Sequence, residues 1–389
     1  MTTLASTRPE AHTSEPWSEL AAGVAASIGP AAEEHDRRGD FVIEAFARLR
    51  AVGLLTMGVP AELGGGGATH AGQCSALRVL GRSCGATAVT LSMHAHLVAT
   101  QVWRHRHGHD AASFLRRVVD DDLLLVSTGA ADWVDSSGEA VPVAGGYRVS
   151  GRKAPSSGAP AGDVVVTSFP VRPEPGSAGP PDGPGSIIHC AVGFDAPGVH
   201  VEETWDALGL RATGSHTVVF DDVFVPTAAV STVRPRGWHP LWNAVLGSAL
   251  PLIMSAYLGI GEAAVELARD RARSRSAEPH VAPAMGEMLN ALTVATDAVS
   301  AMVVLADDLR FPADDAVAAG MLTRKSIAAD HLLVAARHAI DILGGAAYSR
   351  SCAFERLYRD LHGAGFHPLP TAKQVRFTGR LALGLPPLG

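Results

Sequence analysis

"LGLRATGSHTVVFDDVFVP", residues 208–226, decides how the rest of the chain must be read. Gly209 and Gly214 mark a turn. The β-branched and aromatic run from Val218 to Val225, split by Asp221 and Asp222 and stopped by Pro226, marks a strand. Upstream, as far as residue 124, the same short period recurs in "LLLVSTGA", "GGYRVSGRKAPSS", "DVVVTSFPV" and "SIIHCAVGF". Outside that block the period lengthens to three and four residues, as in "DFVIEAFARLRAVGLL" before it and "AGMLTRKSIAADHLLVAARHAIDILGG" after it. The chain therefore reads as α+β and mainly α. A loose arm occupies 1–16, an N-terminal helical domain 17–123, a central β-barrel or sandwich 124–235 and a C-terminal four-helix bundle 236–389.

The 389 residues, 47% of them hydrophobic, suffice for a large core. Net charge is −7, and no Lys/Arg cluster is interleaved with aromatics, so the reading is a small-molecule partner and no nucleic acid. Cys74, Cys84, Cys190 and Cys352 lie far apart without ligand spacing, and "WRHRHGHD" (103–110) reads as a solvated helix end, so no metal is expected. Residues 237–261 carry no charged side chain and could span a bilayer by length. Pro240, Pro251 and the amphipathic continuation favour a buried bundle helix, hence no membrane and a cytoplasmic location. The insert "RPEPGSAGPPDGPG" (172–185) reads as a mobile hairpin loop. Asp132 and Asp135 read as surface or as the mouth of a pocket.

The 208–226 stretch resembles the last strands of the acyl-CoA dehydrogenase β-domain. "GVPAELGGGG" (58–67), "SGRK" (150–153) and "DILGGAAYSRSCAFERLYRD" (341–360) follow that family's order around it. The resemblance covers residues 40–389 and implies a flavin, FAD or FMN, between β-domain and bundle, usually in a homotetramer. It points to Thr128 and Gly129 at the pyrimidine end of the flavin, and to Gly344 and Gly345 as further cofactor contacts. Where the family carries an "R-x-Q-F-G" run for the FAD adenine, this chain reads "RSRSAEPH" (273–280), which leaves FMN open.

A dehydrogenase of this family needs a glutamate base. Eight residues past Asp360, where it commonly sits, is Pro368; the alternative place, ten residues before Gly259, is Ala249. Both are empty. The chain is closer here to the flavin monooxygenases of the same fold, such as dibenzothiophene monooxygenase and the amine-oxidising nitrososynthases. That branch implies Ser157 near flavin N5, His367 as acid/base and His96 as a further pocket histidine. His94, two residues from His96, cannot share its helix face. The function so implied is monooxygenation by reduced flavin and O2 through a C4a-hydroperoxide, with a separate flavin reductase as transient partner. The alternatives are an acyl-CoA or acyl-carrier-protein dehydrogenase with a non-glutamate base, and a non-catalytic protein of the same fold.

Overall fold

The computed structural model describes residues 16–129, 132, 134–172 and 185–388. All but the end residues of the expected arm and of the 172–185 insert lie outside the described residues. The first helices are α1 (Pro16–Ile28), α2 (Ala32–Arg38), α3 (Ile43–Ala51), α4 (His70–Ser83), α5 (Gly85–Arg106) and α6 (Ala112–Asp120). Strands follow: β1 (Leu125–Ser127), β2 (Glu139–Val143), β3 (Gly146–Ser156), β4 (Val164–Pro170), β5 (Ser186–Gly193), β6 (Val199–Glu202), β7 (His216–Pro226) and β8 (Val230–Pro235). Helices α7 (Pro240–Arg273), α8 (Val281–Leu305), α9 (Asp315–Leu343), α10 (Ala353–Leu361) and α11 (Thr371–Ala382) complete the chain.

The strands form two four-stranded sheets, ordered β1-β4-β5-β8 and β2-β3-β7-β6. Val126, Val165, Phe169 and Ile188 of the first meet Val149, Val218, Phe220 and Val223 of the second in one buried core, with Phe169 edge-on to Phe220 at 5.1 Å. The deciding stretch supplies β7. Its Asp221-Asp222 pair is a bulge: the register with β3 shifts between Phe220 and Val223, and Asp222 takes φ +49°, a conformation Asp tolerates better than most.

Helix α7 is the axis of the bundle. Its charge-free window is 94% buried, which accounts for the apolar run as core, and each fully buried Leu or Ile contributes about 1.5–3 kcal/mol. Pro240 opens the helix, and the His239 ring accepts the Leu241 amide at 3.2 Å. Glycines let α4 and α7 cross closely: a Cβ on Gly81 would lie 2.3 Å from the Ala256 carbonyl, and one on Gly259 would lie 2.1 Å from that of Arg78.

Two motifs far apart in sequence are bolted together. Asp360 of α10 accepts the Leu210 amide at 2.6 Å, holding Leu210 at φ +52°. Arg359 pairs with Asp36 of α2 and Glu355, and its guanidinium donates to the Leu208 carbonyl. Gly209 fits only because it lacks a side chain, since a Cβ would sit 2.3 Å from the Arg359 carbonyl.

Candidate active site

A cavity of about 580 Å³ lies between α5, α7, the β1-β4-β5-β8 sheet and the segment after α10. Thr128, Gly129, Ser157, His96 and His367, scattered over the sequence, all line it. So do Ala249 and Pro368, the two positions without the glutamate. Among the described lining residues Asp132 is the one carboxylate. Of the two aspartates expected at the surface or at a pocket mouth, Asp132 lines the cavity and is buried, 2.6 Å from the fully buried Lys153 ammonium, while Asp135 is exposed. Lys153 also donates to the Ser137 and Ser168 carbonyls at 2.7 Å each, so this pair is a structural rivet of the sheet.

On the sheet side the hydroxyls are chained. Ser157 Oγ lies 2.8 Å from Ser215 Oγ, which lies 2.6 Å from Thr213 Oγ1; that hydroxyl donates to the Leu210 carbonyl at 2.9 Å. A carbonyl can only accept, so the direction of the chain is fixed. Thr213 gives its proton to Leu210, Ser215 gives its own to Thr213, and Ser157 gives its own to Ser215. Ser157 therefore turns lone pairs toward the cavity. Thr128 does the same, since its hydroxyl donates to Thr167 at 2.9 Å. Gly129 lets this strand end approach the "APSS" turn, because a Cβ there would meet Pro155 at 2.5 Å.

The same accounting assigns the histidine tautomers. His94 uses both nitrogens on backbone, Nε2 toward the Leu55 carbonyl at 2.7 Å and Nδ1 accepting the Leu125 amide at 2.9 Å; it is a core residue. His96 donates from Nδ1 to the Ser92 carbonyl at 3.2 Å, which leaves an unprotonated Nε2 on a ring that lines the cavity. Burial pushes its pKa down to about 4. His367 Nε2 lies 2.8 Å from the Tyr257 hydroxyl. Burial holds that phenol well above its ordinary range, with Asp360 adding to the effect, so it keeps its proton within this pair. Burial, with Lys325 and His96 nearby, pushes His367 down to about 3. Gly363 makes room for the phenol: a Cβ there would lie 2.6 Å from its oxygen.

Tyr257, Thr213 and Ser215 are the residues that sequence reasoning missed. A signal existed for Tyr257, the one tyrosine inside an uncharged helix, since a buried phenol requires a partner. Thr213 and Ser215 were readable only as a polar spacer.

Gly344 and Gly345 are not among the cavity's lining residues; they begin the turn that ends α9. Gly344 has φ +66° and lies against Arg275, whose guanidinium donates to the Ile342 carbonyl at 2.6 Å and pairs with Glu278. Within "RSRSAEPH" that arginine thus caps a helix end.

Family models for the acyl-CoA dehydrogenase N-terminal domain and C-terminal domain match residues 17–121 and 236–366. The chain is 31% identical to the amino sugar nitrososynthase DnmZ of Streptomyces peucetius over 90% of its own length and 89% of that protein. The nitrososynthase structure from Micromonospora carbonacea var. africana superposes with a TM-score of 0.86 at 26% identity, covering 97% of this chain and 99% of that one. KijD3 in complex with FMN and dTDP-3-amino-2,3,6-trideoxy-4-keto-3-methyl-D-glucose gives a TM-score of 0.83 at 28% identity, covering 95% of each chain.

Proposed function

The chain belongs to the acyl-CoA dehydrogenase family, among its flavin-dependent monooxygenases, and from that premise we propose that it oxidises an amine nitrogen of a small organic substrate. One observation carries the reading: the end of the cavity that holds His96 and His367 has no free carboxylate among the described residues and keeps both rings neutral. Nitrogen attacks an activated oxygen through its lone pair, so the amine must arrive unprotonated. The desolvation that lowers these histidines, and that pushes the nearby Lys325 ammonium down to about 8, acts in the same direction on a bound ammonium. The relatives named for amino sugars, and the amino-sugar nucleotide in the KijD3 complex, support the same class.

Reduced flavin, FMN or FAD, supplies the activation of dioxygen when bound. The cavity's volume, its apolar helical wall and the line of hydroxyl acceptors suit such a ring system. Ser157 accepts from N5–H, the donor that only the reduced ring carries. Thr128 and Gly129 hold the pyrimidine edge. His96 Nε2 accepts an N–H of the substrate amine, and the Tyr257–His367 pair holds a proton at the opposite side of the pocket. Leu97, Ala249 and Ile253 exclude water. The glutamate base of a dehydrogenase has no counterpart at Ala249 or Pro368.

The reduced flavin comes from a separate reductase in the cytoplasm, and the chain works as a homotetramer. Helix α8 supports that assembly, with mean hydropathy 1.7 and only 28% of its apolar window buried. Light scattering at micromolar concentration should give a dimer or larger.

Anaerobically photoreduced, FMN-loaded protein mixed with O2 and a panel of amines and thioethers tests the chemistry. An amine product carrying one added oxygen is expected by mass spectrometry. Reduction of bound flavin by an acyl-CoA, or oxygen transfer to thioethers alone, overturns the reading.

A further inference from the structure

We propose that the far pole of this cavity, lined by Arg104 and His189 with the buried Arg234 behind His189, is a subsite for a phosphate-class anion. The inference rests on the flavin reading only for the source of that anion. The cavity is a slot. His96 and Arg104 both line it from α5, eight residues or about 12 Å apart. Helix α7 runs alongside from Trp242 to Tyr257, about 22 Å. Ser157, His96, Tyr257 and His367 thus mark one pole, and Arg104, His189 and Trp242 the other. Leu97, Val245 and Leu246 lie between and are apolar.

The nitrogen groups fixed at the far pole are donors. Arg104 is held against β8 by bonds to Thr232 Oγ1 at 3.1 Å and the Ser231 carbonyl at 3.4 Å, and its Nε is buried with no partner among the described residues. Arg234 is 1% exposed and stacks 4.8 Å over the Trp242 ring. Its Nε donates to His189 Nε2 at 2.8 Å and its Nη1 to the Pro235 carbonyl at 2.9 Å, while Nη2 is buried with no partner among the described residues. Because Nε2 of His189 accepts, its proton sits on Nδ1, so this cavity-lining ring adds another donor.

Neither guanidinium forms an ion pair among the described residues. Asp110 and Asp135 act on them only from beyond bonding distance. Elsewhere Lys153 is matched by Asp132 and Arg359 by Asp36, while the buried Lys325 ends on the Gly365 and Leu369 carbonyls. Arg104 lines the cavity without a carboxylate partner among the described residues, its planar fork suits phosphate oxygens, and Arg234 behind His189 adds positive charge to the pole. That phosphate can belong to the flavin or to the substrate.

The test uses the full chain and the variants Arg104→Gln and Arg104→Lys, with inorganic pyrophosphate, FMN and riboflavin as probes in calorimetry or fluorescence titration. Pyrophosphate should bind wild type roughly 10- to 100-fold tighter than R104Q, the loss of one charge-assisted contact, with R104K between them. If the pole takes the cofactor's phosphate, R104Q also loses affinity for FMN while riboflavin is unaffected. If it takes the substrate's, FMN and riboflavin bind both proteins alike and only pyrophosphate discriminates. Should R104Q not fold, Thr232→Val, which releases the Arg104 fork, replaces it with the same expected order of affinities. Pyrophosphate binding that is absent, or equal in wild type and variant, together with unchanged FMN affinity, overturns the proposal. Failure of wild type to bind either flavin would sink the flavin reading and leave the pyrophosphate result to decide this one.

Discussion

The two walls of the cavity handle polarity in opposite ways. On the sheet side polar groups are chained to one another and the longest chains end on backbone: Ser157 through Ser215 and Thr213 to the Leu210 carbonyl, and Lys153 to two carbonyls. On the helical side polar groups are few and stand alone among apolar neighbours, with His96 on a single carbonyl and Tyr257 paired only with His367. The difference separates two tasks. A wall that orients a cofactor needs hydrogen bonds of fixed direction, whereas a wall that meets a varied substrate needs dryness and a small number of neutral acceptors.

The sharpest way to break this comparison is His96→Leu. If the free Nε2 lone pair handles the substrate amine, product formation should fall by roughly 10²–10⁴-fold with flavin affinity within a factor of two or so, as expected for removal of general acid/base help. His367→Ala should cost less, roughly tenfold, because its Nε2 is already engaged by Tyr257. Reversal of that order, measured as product per O2 consumed, would move the substrate-handling role to His367. Tyr257→Phe removes one neutral hydrogen bond and should cost about 0.5–1.5 kcal/mol of whatever His367 contributes.

Stability against pH probes the rest of the dry core. His70 and His94, both buried outright, are pushed down to about 4 by desolvation, against about 6.5 in an unfolded chain. Below pH 6.5 the unfolded state takes up protons that the folded state refuses. Their contribution is therefore full above pH 6.5 and is lost as pH falls toward 4, on the order of 1.4 kcal/mol per histidine per pH unit. Asp360 works the other way. Burial raises it to about 6, so it adds stability as pH falls from there to its unfolded value. His96, His189 and His367 are pushed down as well, so five histidines stand against Asp360; the melting temperature should drop between pH 6.5 and 4.5, and His94→Gln should flatten the slope if it folds. A melting temperature constant across that range would contradict neutral burial of these rings.

The sequence made the architecture legible because strand and helix periods are local, and 208–226 and 341–360 carry dense motifs. It also placed Thr128, Gly129, Ser157, His96 and His367 together, since the resemblance supplies a geometry that spacing does not. Roles set by distant partners stayed hidden. Asp132 reads as surface or pocket mouth, whereas its ion pair with Lys153 is set by the fold, and Tyr257 meets His367 across 110 positions. Arg234 was invisible for the same reason: its meaning lies in the carboxylate it lacks.

The smallest expected effect isolates direction from presence. Thr213→Val keeps the shape of the residue but removes the hydroxyl that donates to Leu210, so Ser215 and then Ser157 are free to reverse. Ser157 could then donate to an oxidised flavin N5 as readily as accept from a reduced one. Wild type should bind reduced FMN more tightly than oxidised FMN relative to the free couple, and Thr213→Val should shrink that ratio by up to roughly tenfold, the worth of one neutral hydrogen bond. For a two-electron couple this is a shift of at most about 30 mV in midpoint potential. Ser157→Ala should shrink the ratio similarly, since it removes the acceptor itself. A shift in Ser157→Ala but not in Thr213→Val would mean that the Leu210 carbonyl does not set the direction. No shift in either would assign Ser157 to the turn alone, and the sheet wall would lose the property that distinguishes it from the helical one.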